Sequence, residues 1–291
     1  MPELPEVETI RAQLAPLVAG RRMRRVEILD PRWSRPLAPR ELAEALEGRR
    51  ILRLSRRGKY LLWELEGDAY LAQHLRMTGA LLWNPKDEPA HTRVRIELAP
   101  RALVVVTDPR RFGTGELLLG DDALEAFFAA RLGVEPFDER FTPAHLRALA
   151  RGRRAPIKAL LLDQRRIAGV GNIYADEALF RAGVHPRRAA GRLTTRQLAA
   201  VHAGVIEALR RGIDARGASI DDFRHIDGVR GSFQNEFLIY GRAGEPCLRC
   251  GREVSKLVVA GRGTYVCERC QPRPRSRAQV RHASKPLQPA A

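Results

Sequence analysis

The feature that most constrains this chain is the spacing of its cysteines. There are four, and all fall in one stretch: Cys247-x2-Cys250, sixteen residues, then Cys267-x2-Cys270. A disulfide scaffold would scatter its cysteines, whereas clustering favours a metal in a reducing compartment. Two such pairs at this separation are the pattern of one tetrahedral Zn²⁺, each pair forming a knuckle that supplies two thiolates. The stretch "VSKLVVAGRGTYV" between them reads as two strands with "GRG" at the turn, so a hairpin brings the pairs together. Four protein thiolates leave no ligand position for water, so the metal is expected to be structural rather than catalytic. A redox dithiol is the alternative for a lone CxxC and fits two pairs at this spacing poorly. Arg262 falls at the hairpin tip. An arginine there is commonly just solvated; in a basic protein it is also a plausible probe into a DNA groove.

The charge balance points to a polyanionic partner. Lys and Arg number 51 against 34 Asp and Glu, a formal net charge of +17. Nucleic acid is the usual partner of such a chain, and an anionic membrane surface is the rival. No run approaches the ~18–20 apolar residues needed to span a bilayer, and the N-terminus lacks the basic and apolar regions of a signal peptide. A cytoplasmic monomer is expected.

At 291 residues with 44% apolar content the chain can build more than one core. Residues 51–119 carry short, often alternating apolar runs broken by Gly, Asn-Pro and Ala-Pro, which predicts a β-rich domain, a two-sheet sandwich, over 2–135. Gly120 to about Arg140 is partly helical. From Thr142 the pattern becomes helical: "TPAHLRALARG" opens on a Thr cap with Pro at the first helical position, and three further helices follow. This predicts a helical domain over 136–237, ending in a long Gly-punctuated loop around 217–233. The metal module follows over 238–272. The basic, Pro-rich stretch 273–291 has no apolar periodicity and is expected to be disordered. The fold class is therefore α+β: sandwich, helical domain, zinc hairpin.

The first residues, "MPELPEVETI", hold a second puzzle. Pro5, Glu6 and Glu8 suit a helix start, and Val7, Ile10, Leu14 and Leu17 give a helix over about 5–18 one buried face. That does not account for Pro2 and Glu3. Methionine is normally clipped before a small residue such as Pro2, which would leave a secondary amine at the chain start. Other stretches are weaker alone. Lys59 follows a Gly turn in "SRRGKY" and would ordinarily be solvated. "TDPRRFG" exposes Arg110 and Phe112 at a tight turn, where the aromatic could pack on a neighbouring loop or wedge between bases. "HLRMTG" presents Met77, more often a core residue. In "GVGNIYADE" the N–H groups around Asn172, at a helix start, could hold a phosphate.

Together these stretches resemble one family, bacterial formamidopyrimidine-DNA glycosylase, an oxidised-purine repair enzyme. The likeness runs in order through "PELPEVET", "RRGKYLL", "HLRMTG", "TDPRRFG", "GVGNIYADEALF", "YGRAGEPC" and "AGRGTYVCERCQ" and covers residues 2–271. It implies a β-sandwich, a helix–two-turns–helix domain and a zinc hairpin. It also implies an enzyme that excises the oxidised base from damaged duplex DNA and then acts as an AP lyase. Under it, Pro2 is the nucleophile and Glu3 the general acid/base. Lys59 acts as proton donor in β-elimination and Arg262 acts in δ-elimination. Met77, Arg110 and Phe112 match the residues that fill the void left by the flipped lesion, and His91, Arg153 and Asn172 match backbone contacts. The loop around 217–233 matches the region that closes over the flipped base. One departure is Arg76, where the family pattern "HLGMTG" has Gly. Two rivals stand beside this reading: an endonuclease VIII-like enzyme for oxidised pyrimidines, which typically begins "PEGPE", and a catalytically silent zinc-dependent damage binder, against which Pro2, Glu3 and Lys59 together argue.

Overall fold

The computed structural model describes residues 2–218, 225–228 and 231–274. The loop expected at 217–233 thus lies partly outside the described residues, and the basic stretch does so from 275 onward.

The helix that opens the chain, α1 (Leu4–Val18), buries Val7, Ile10, Leu14 and Val18. The steps of three and four residues keep all four on one face. Val18, not Leu17, completes the stripe, because it stands a full four residues beyond Leu14. That stripe meets two four-stranded antiparallel sheets. One has the order β1 (Met23–Ile28), β6 (Thr92–Leu98), β7 (Ala102–Thr107), β5 (Ala80–Trp83). The other has β2 (Ile51–Arg57), β3 (Tyr60–Leu65), β4 (Ala69–His74), β8 (Thr114–Leu119). Their facing sides share one core: Val94, Ile96, Val104 and Val106 from the first sheet, Leu54, Leu61, Trp63 and Leu71 from the second. The sandwich read from the strand pattern is therefore present.

Strand β3 reads "YLLWEL", apolar at nearly every position, because both its faces are covered. Leu61, Trp63 and Leu65 point into the main core, while Tyr60 and Leu62 lie under α3 (Asp121–Ala129) with Leu124, Phe127 and Phe128. Two elements have little signal in the sequence. In β1 a register shift between Met23 and Arg25 breaks the two-residue alternation, so Met23 and Val26 both face inward. Helix α2 (Pro39–Leu46) is short and buries only Leu42 and Leu46.

The helical domain packs α4 (Pro143–Ala150), α5 (Ile157–Leu162), α6 (Asn172–Arg181) and α7 (Thr195–Asp214) around a second core. Thr142 and Thr194 cap α4 and α7 by accepting from His145 N–H at 3.0 Å and Gln197 N–H at 3.2 Å. Leu4 of α1 belongs to this second core rather than the first. The chain start therefore crosses between the two domains. Among the described residues no helix is long and apolar enough to cross a membrane.

The C-terminal module is a hairpin of β9 (Ser255–Val259) and β10 (Arg262–Val266). Its two-residue turn is Ala260-Gly261, both at positive φ, the geometry that matches strand twist. Arg262 is already the first residue of β10, one place beyond the expected turn. The hairpin is fastened by a fully buried ion pair, Lys158 Nζ to Asp176 at 2.7 Å. Lys158 also donates to Thr264 Oγ1 at 2.8 Å, and Tyr265 N–H donates to Asp176 at 3.0 Å. The four cysteine sulfurs lie within 4.8 Å of one another, with Cys247 and Cys270 at 3.9 Å and Cys250 and Cys267 at 3.4 Å. Zn–S bonds of ~2.3 Å in a tetrahedron place sulfurs ~3.8 Å apart, so the four thiolates fit one zinc ion. The metal is structural: it closes the knuckles and leaves no open ligand position.

Because so small a hairpin folds around its metal, Cys250→Ser should lose the bound zinc and expose 244–273 to proteolysis while the sandwich stays intact. Metal analysis and limited proteolysis of the variant check this; a full zinc complement with a resistant hairpin would refute it.

Candidate active site

Between the sandwich and the helical domain lies a cavity of about 470 Å³. Pro2, Glu3, Lys59, Met77, Arg110, Asn172 and Arg262 all line it. Residues from both ends of the chain and from all three structural units are thus gathered around one space. Of the other residues singled out above, Phe112, His91 and Arg153 lie outside it.

The chain start is held by carboxylates. Glu6 is buried; its side chain accepts from Glu3 N–H at 2.8 Å, Tyr174 O–H at 2.7 Å and Ala218 N–H at 2.8 Å. Burial pushes the Glu6 pKa up and the neighbouring Glu3 pushes it the same way, while those three donors oppose both. Glu3 is also buried, and Oε1 accepts from Ile173 N–H in the first turn of α6 at 3.1 Å. Its other oxygen, Oε2, has no hydrogen-bond partner among the described residues.

Gly171 makes this contact possible, since a Cβ there would collide with the Glu3 carboxylate. The expectation that the N–H groups at the start of α6 hold a phosphate therefore needs correcting at Ile173: that donor is occupied by Glu3. Asn172 turns its amide to Gly263 O at 3.0 Å, tying α6 to the zinc hairpin beside Arg262.

Lys59 sits just after Gly58 at the head of β3 and is buried, with no ion-pair partner among the described residues. Burial lowers its pKa chiefly; Glu3 and Glu6 raise it and Arg262 lowers it further. A less basic ammonium gives up its proton more readily. His74, at the end of β4, accepts Arg76 N–H on Nδ1 at 2.9 Å and stacks edge-on against Tyr60. Burial, then Arg76 and Lys59, hold its pKa well below the usual range, so the ring is neutral. With Nδ1 accepting, the ring proton is assigned to Nε2.

The rim of the cavity is organised by Asp108. One carboxylate oxygen accepts from Phe112 N–H at 2.8 Å and Gly113 N–H at 2.7 Å. The other accepts from Arg110 N–H at 3.2 Å and from Thr78 O–H. A single side chain thus shapes the turn that carries Arg110 and Phe112 and ties it to the segment carrying Met77. Phe112 is 50% exposed, with the Arg110 guanidinium 4.9 Å from its ring centre. Arg111 points the other way, into a two-point pair with Asp30 at 2.6 and 2.9 Å. His91 joins the same turn through its carbonyl, which accepts Asp108 N–H at 3.0 Å. Arg153 lies apart, its Nε donating to Leu149 O at 2.6 Å beyond the end of α4.

Asp108, His74, Lys158 and Asp176 were not singled out by sequence reasoning, and Glu6 was read only as part of a helix start. Glu6 stands three residues after Glu3, the spacing of a capping box, and Asp108 opens "DPRR", the signature of an Asx-type turn. Those signals were available; the long-range partners were not.

Comparison with known proteins agrees in order along the chain. Residues 1–115 match the formamidopyrimidine-DNA glycosylase N-terminal domain, 132–224 the formamidopyrimidine-DNA glycosylase H2TH domain, and 244–273 the zinc finger found in FPG and IleRS. The formamidopyrimidine-DNA glycosylase of Thermus thermophilus is 46% identical over 274 residues, 93% of this chain and 98% of that protein. Its counterpart from Heliobacterium modesticaldum is 44% identical over 276 residues, 93% of this chain and all of that one. The crystal structure of MutM (Fpg) from T. thermophilus superposes with a TM-score of 0.85 at 43% identity, covering 94% of this chain and 100% of that one. A complex between Lactococcus lactis Fpg and DNA containing an abasic site gives a TM-score of 0.87 at 38% identity, covering 93% and 100%. Three domains in the same order, with identity above 40% along nearly the whole length, place this chain in the formamidopyrimidine-DNA glycosylase family, the bifunctional DNA glycosylases and AP lyases of base excision repair.

Proposed function

We propose that this chain excises oxidised purines, 8-oxoguanine and formamidopyrimidines, from duplex DNA and then cuts the strand by β,δ-elimination through an iminium ion on Pro2. The observation that carries this reading is the convergence of Pro2, Glu3, Lys59 and Arg262 on one cavity. Related structures support the substrate class: L. lactis Fpg is described in complexes with Fapy-dG-containing DNA. One chain holds every group required, so a monomer suffices.

The chemistry follows from the groups present. Once Met1 is removed, Pro2 carries a secondary amine, which no backbone amide can imitate. Its lone pair attacks C1′, the damaged base leaves with the electrons of the glycosidic bond, and the proton lost from the amine neutralises the departing base. Glu3, beside the reacting sugar, gives a proton to the sugar ring oxygen as the ring opens and the iminium forms. The iminium withdraws electrons from C2′, so a proton leaves C2′ and the C3′–O bond breaks, releasing the 3′ phosphate. A second proton loss, from C4′, expels the 5′ phosphate, and water returns Pro2 to the amine. In this scheme Lys59 serves β-elimination and Arg262 δ-elimination, and both cations also pair with the phosphates.

The base must leave the helix before C1′ can meet Pro2. Phe112 is proposed to wedge between base pairs, Arg110 to bond the orphaned cytosine and Met77 to fill the gap. His91, Arg153 and Asn172 are proposed as backbone contacts. An oxidised-pyrimidine reading rests on one observation, a complex of L. lactis Fpg with DNA containing an oxidised pyrimidine. Cleavage of duplexes carrying 8-oxoguanine or an oxidised pyrimidine, compared in one assay, decides the preference; faster cleavage of the pyrimidine duplex would overturn the purine reading.

Pro2→Gly should slow base release and reduce borohydride-trapped adduct on an abasic duplex, with residual lyase activity from its primary amine. Fully active protein that retains Met1 would rule out the Pro2 mechanism.

Phosphate neutralisation and wedging separate by salt dependence. With six or so phosphate contacts, log K should fall with log salt at a slope of about −5. Arg153→Ala should weaken all duplexes alike and flatten the slope by about one unit. Phe112→Ala should keep the slope and slow single-turnover base release, because the wedge is uncharged and offsets unstacking. A changed slope with intact base release would make Phe112 a packing residue of its own loop.

A further inference from the structure

Arg76, the charged residue of "HLRMTG", has no task in the reaction scheme. Its backbone lies at φ 56, a left-handed conformation suited to glycine and strained for a long side chain. Strain of this kind persists where the surrounding structure holds it, here the Arg76 N–H bonded to His74 Nδ1. Its guanidinium forms no ion pair among the described residues, although Arg76 is exposed next to His74 and Lys59.

A second cavity of about 580 Å³ adjoins the reaction cavity and shares Lys59, His74 and Arg76 as a common wall. Its far side adds Arg131, Arg165 and Arg166, against the single carboxylate of Asp163. Asp163 is partly engaged, 3.6 Å from Arg166 and accepting Arg165 N–H at 3.1 Å. Arg131 is neutralised in part by Glu116 at 3.6 Å and lies over the Phe127 ring. The Arg165 side chain is exposed and unpaired among the described residues, as is that of Arg76. A concave site with five cations and one anion concentrates a positive field and draws in an anion.

We propose that Arg76 and Arg165 form a second phosphate site, which takes a backbone phosphate of the lesion strand next to the nucleotide held over Pro2. The inference rests on the reading of the first cavity as the reaction site: a strand whose sugar lies there continues through the shared wall. The ligand chemistry is a phosphate, either the diester of the intact strand or the monoester left at a cut end.

The test uses the full zinc-loaded chain and two duplexes, one with a tetrahydrofuran abasic analogue that cannot be cut and one gapped with phosphate ends, titrated at several salt concentrations. Arg76→Gly and Arg165→Ala should each weaken binding several-fold and flatten the salt slope by about one unit. Arg76→Lys should restore the slope. Arg76→Gly should also keep or raise the thermal midpoint, since glycine relaxes the positive φ, so weaker binding there is not a folding defect. A larger loss on the gapped duplex assigns the site to the product monoester; equal losses assign it to the diester. Wild-type affinity and slope in both variants would overturn the inference, as would a fall in affinity with no change in slope. Borohydride trapping is the separate arm: failure of the wild-type protein to trap an abasic duplex would overturn the Pro2 mechanism and leave the phosphate site standing.

Discussion

The buried carboxylate of Glu6 is the contact on which the cavity between the sandwich and the helical domain depends. It lies where the sandwich, the helical domain and the chain start meet, and its three donors come from Glu3, Tyr174 and Ala218. Those donors compensate for the desolvation of a carboxylate, which without them would be expelled or neutralised. In return they fix the backbone of Glu3, and so the position of Pro2, to within hydrogen-bond tolerance. Leu4 N–H donating to Gly169 O at 3.1 Å and Leu4 packing into the helical core complete the anchor. A terminal segment, ordinarily among the loosest parts of a chain, is thereby tied down by hydrogen bonds and core packing.

The same logic repeats behind the zinc hairpin. Lys158 and Asp176 are both fully buried, and the 2.7 Å pair is fastened to Thr264 and Tyr265. Burial alone would lower the lysine and raise the aspartate, and their mutual attraction opposes both shifts. Removing one partner of such a buried pair costs about 3–5 kcal/mol. Glu177, next in sequence, accepts the N–H groups of Leu238, Ile239 and Tyr240. Helix α6 thus uses three successive functions along its length: its first turn receives Glu3, Asp176 holds the hairpin and Glu177 holds the segment leading to it. Zinc shapes the hairpin; the ion pair and Glu177 decide where it points.

At the opposite rim, Asp108 does for a turn what Glu6 does for the terminus. Its carboxylate gathers four donors from two segments, which leaves Arg110 and Phe112 outside, facing solvent. An exposed aromatic at a turn tip is thus a consequence of the polar network beneath it. The surface around the cavity is electrostatically one-sided. Lys59, Arg76, Arg110 and Arg262 stand along its lining, whereas Glu3 is buried at its floor with the buried Glu6 beneath it.

Local chemistry was legible in the sequence. Cysteine spacing specified the zinc knuckles, because ligand geometry is set by a few residues on either side. Period-2 and helical apolar patterns specified the sandwich and the helices, since each element buries its own face. The cap at Thr142 was readable for the same reason. Strand β1 was not, because a bulge breaks its alternation, and Arg262 fell one residue past the expected turn. The tertiary structure was needed to show which polar groups are satisfied by distant partners. Glu6 and Tyr174 are 168 positions apart, Lys158 and Thr264 106, and Asn172 and Gly263 91. No local pattern encodes such pairings, because a buried polar group records only that a partner is needed, and the fold alone brings the partner within reach.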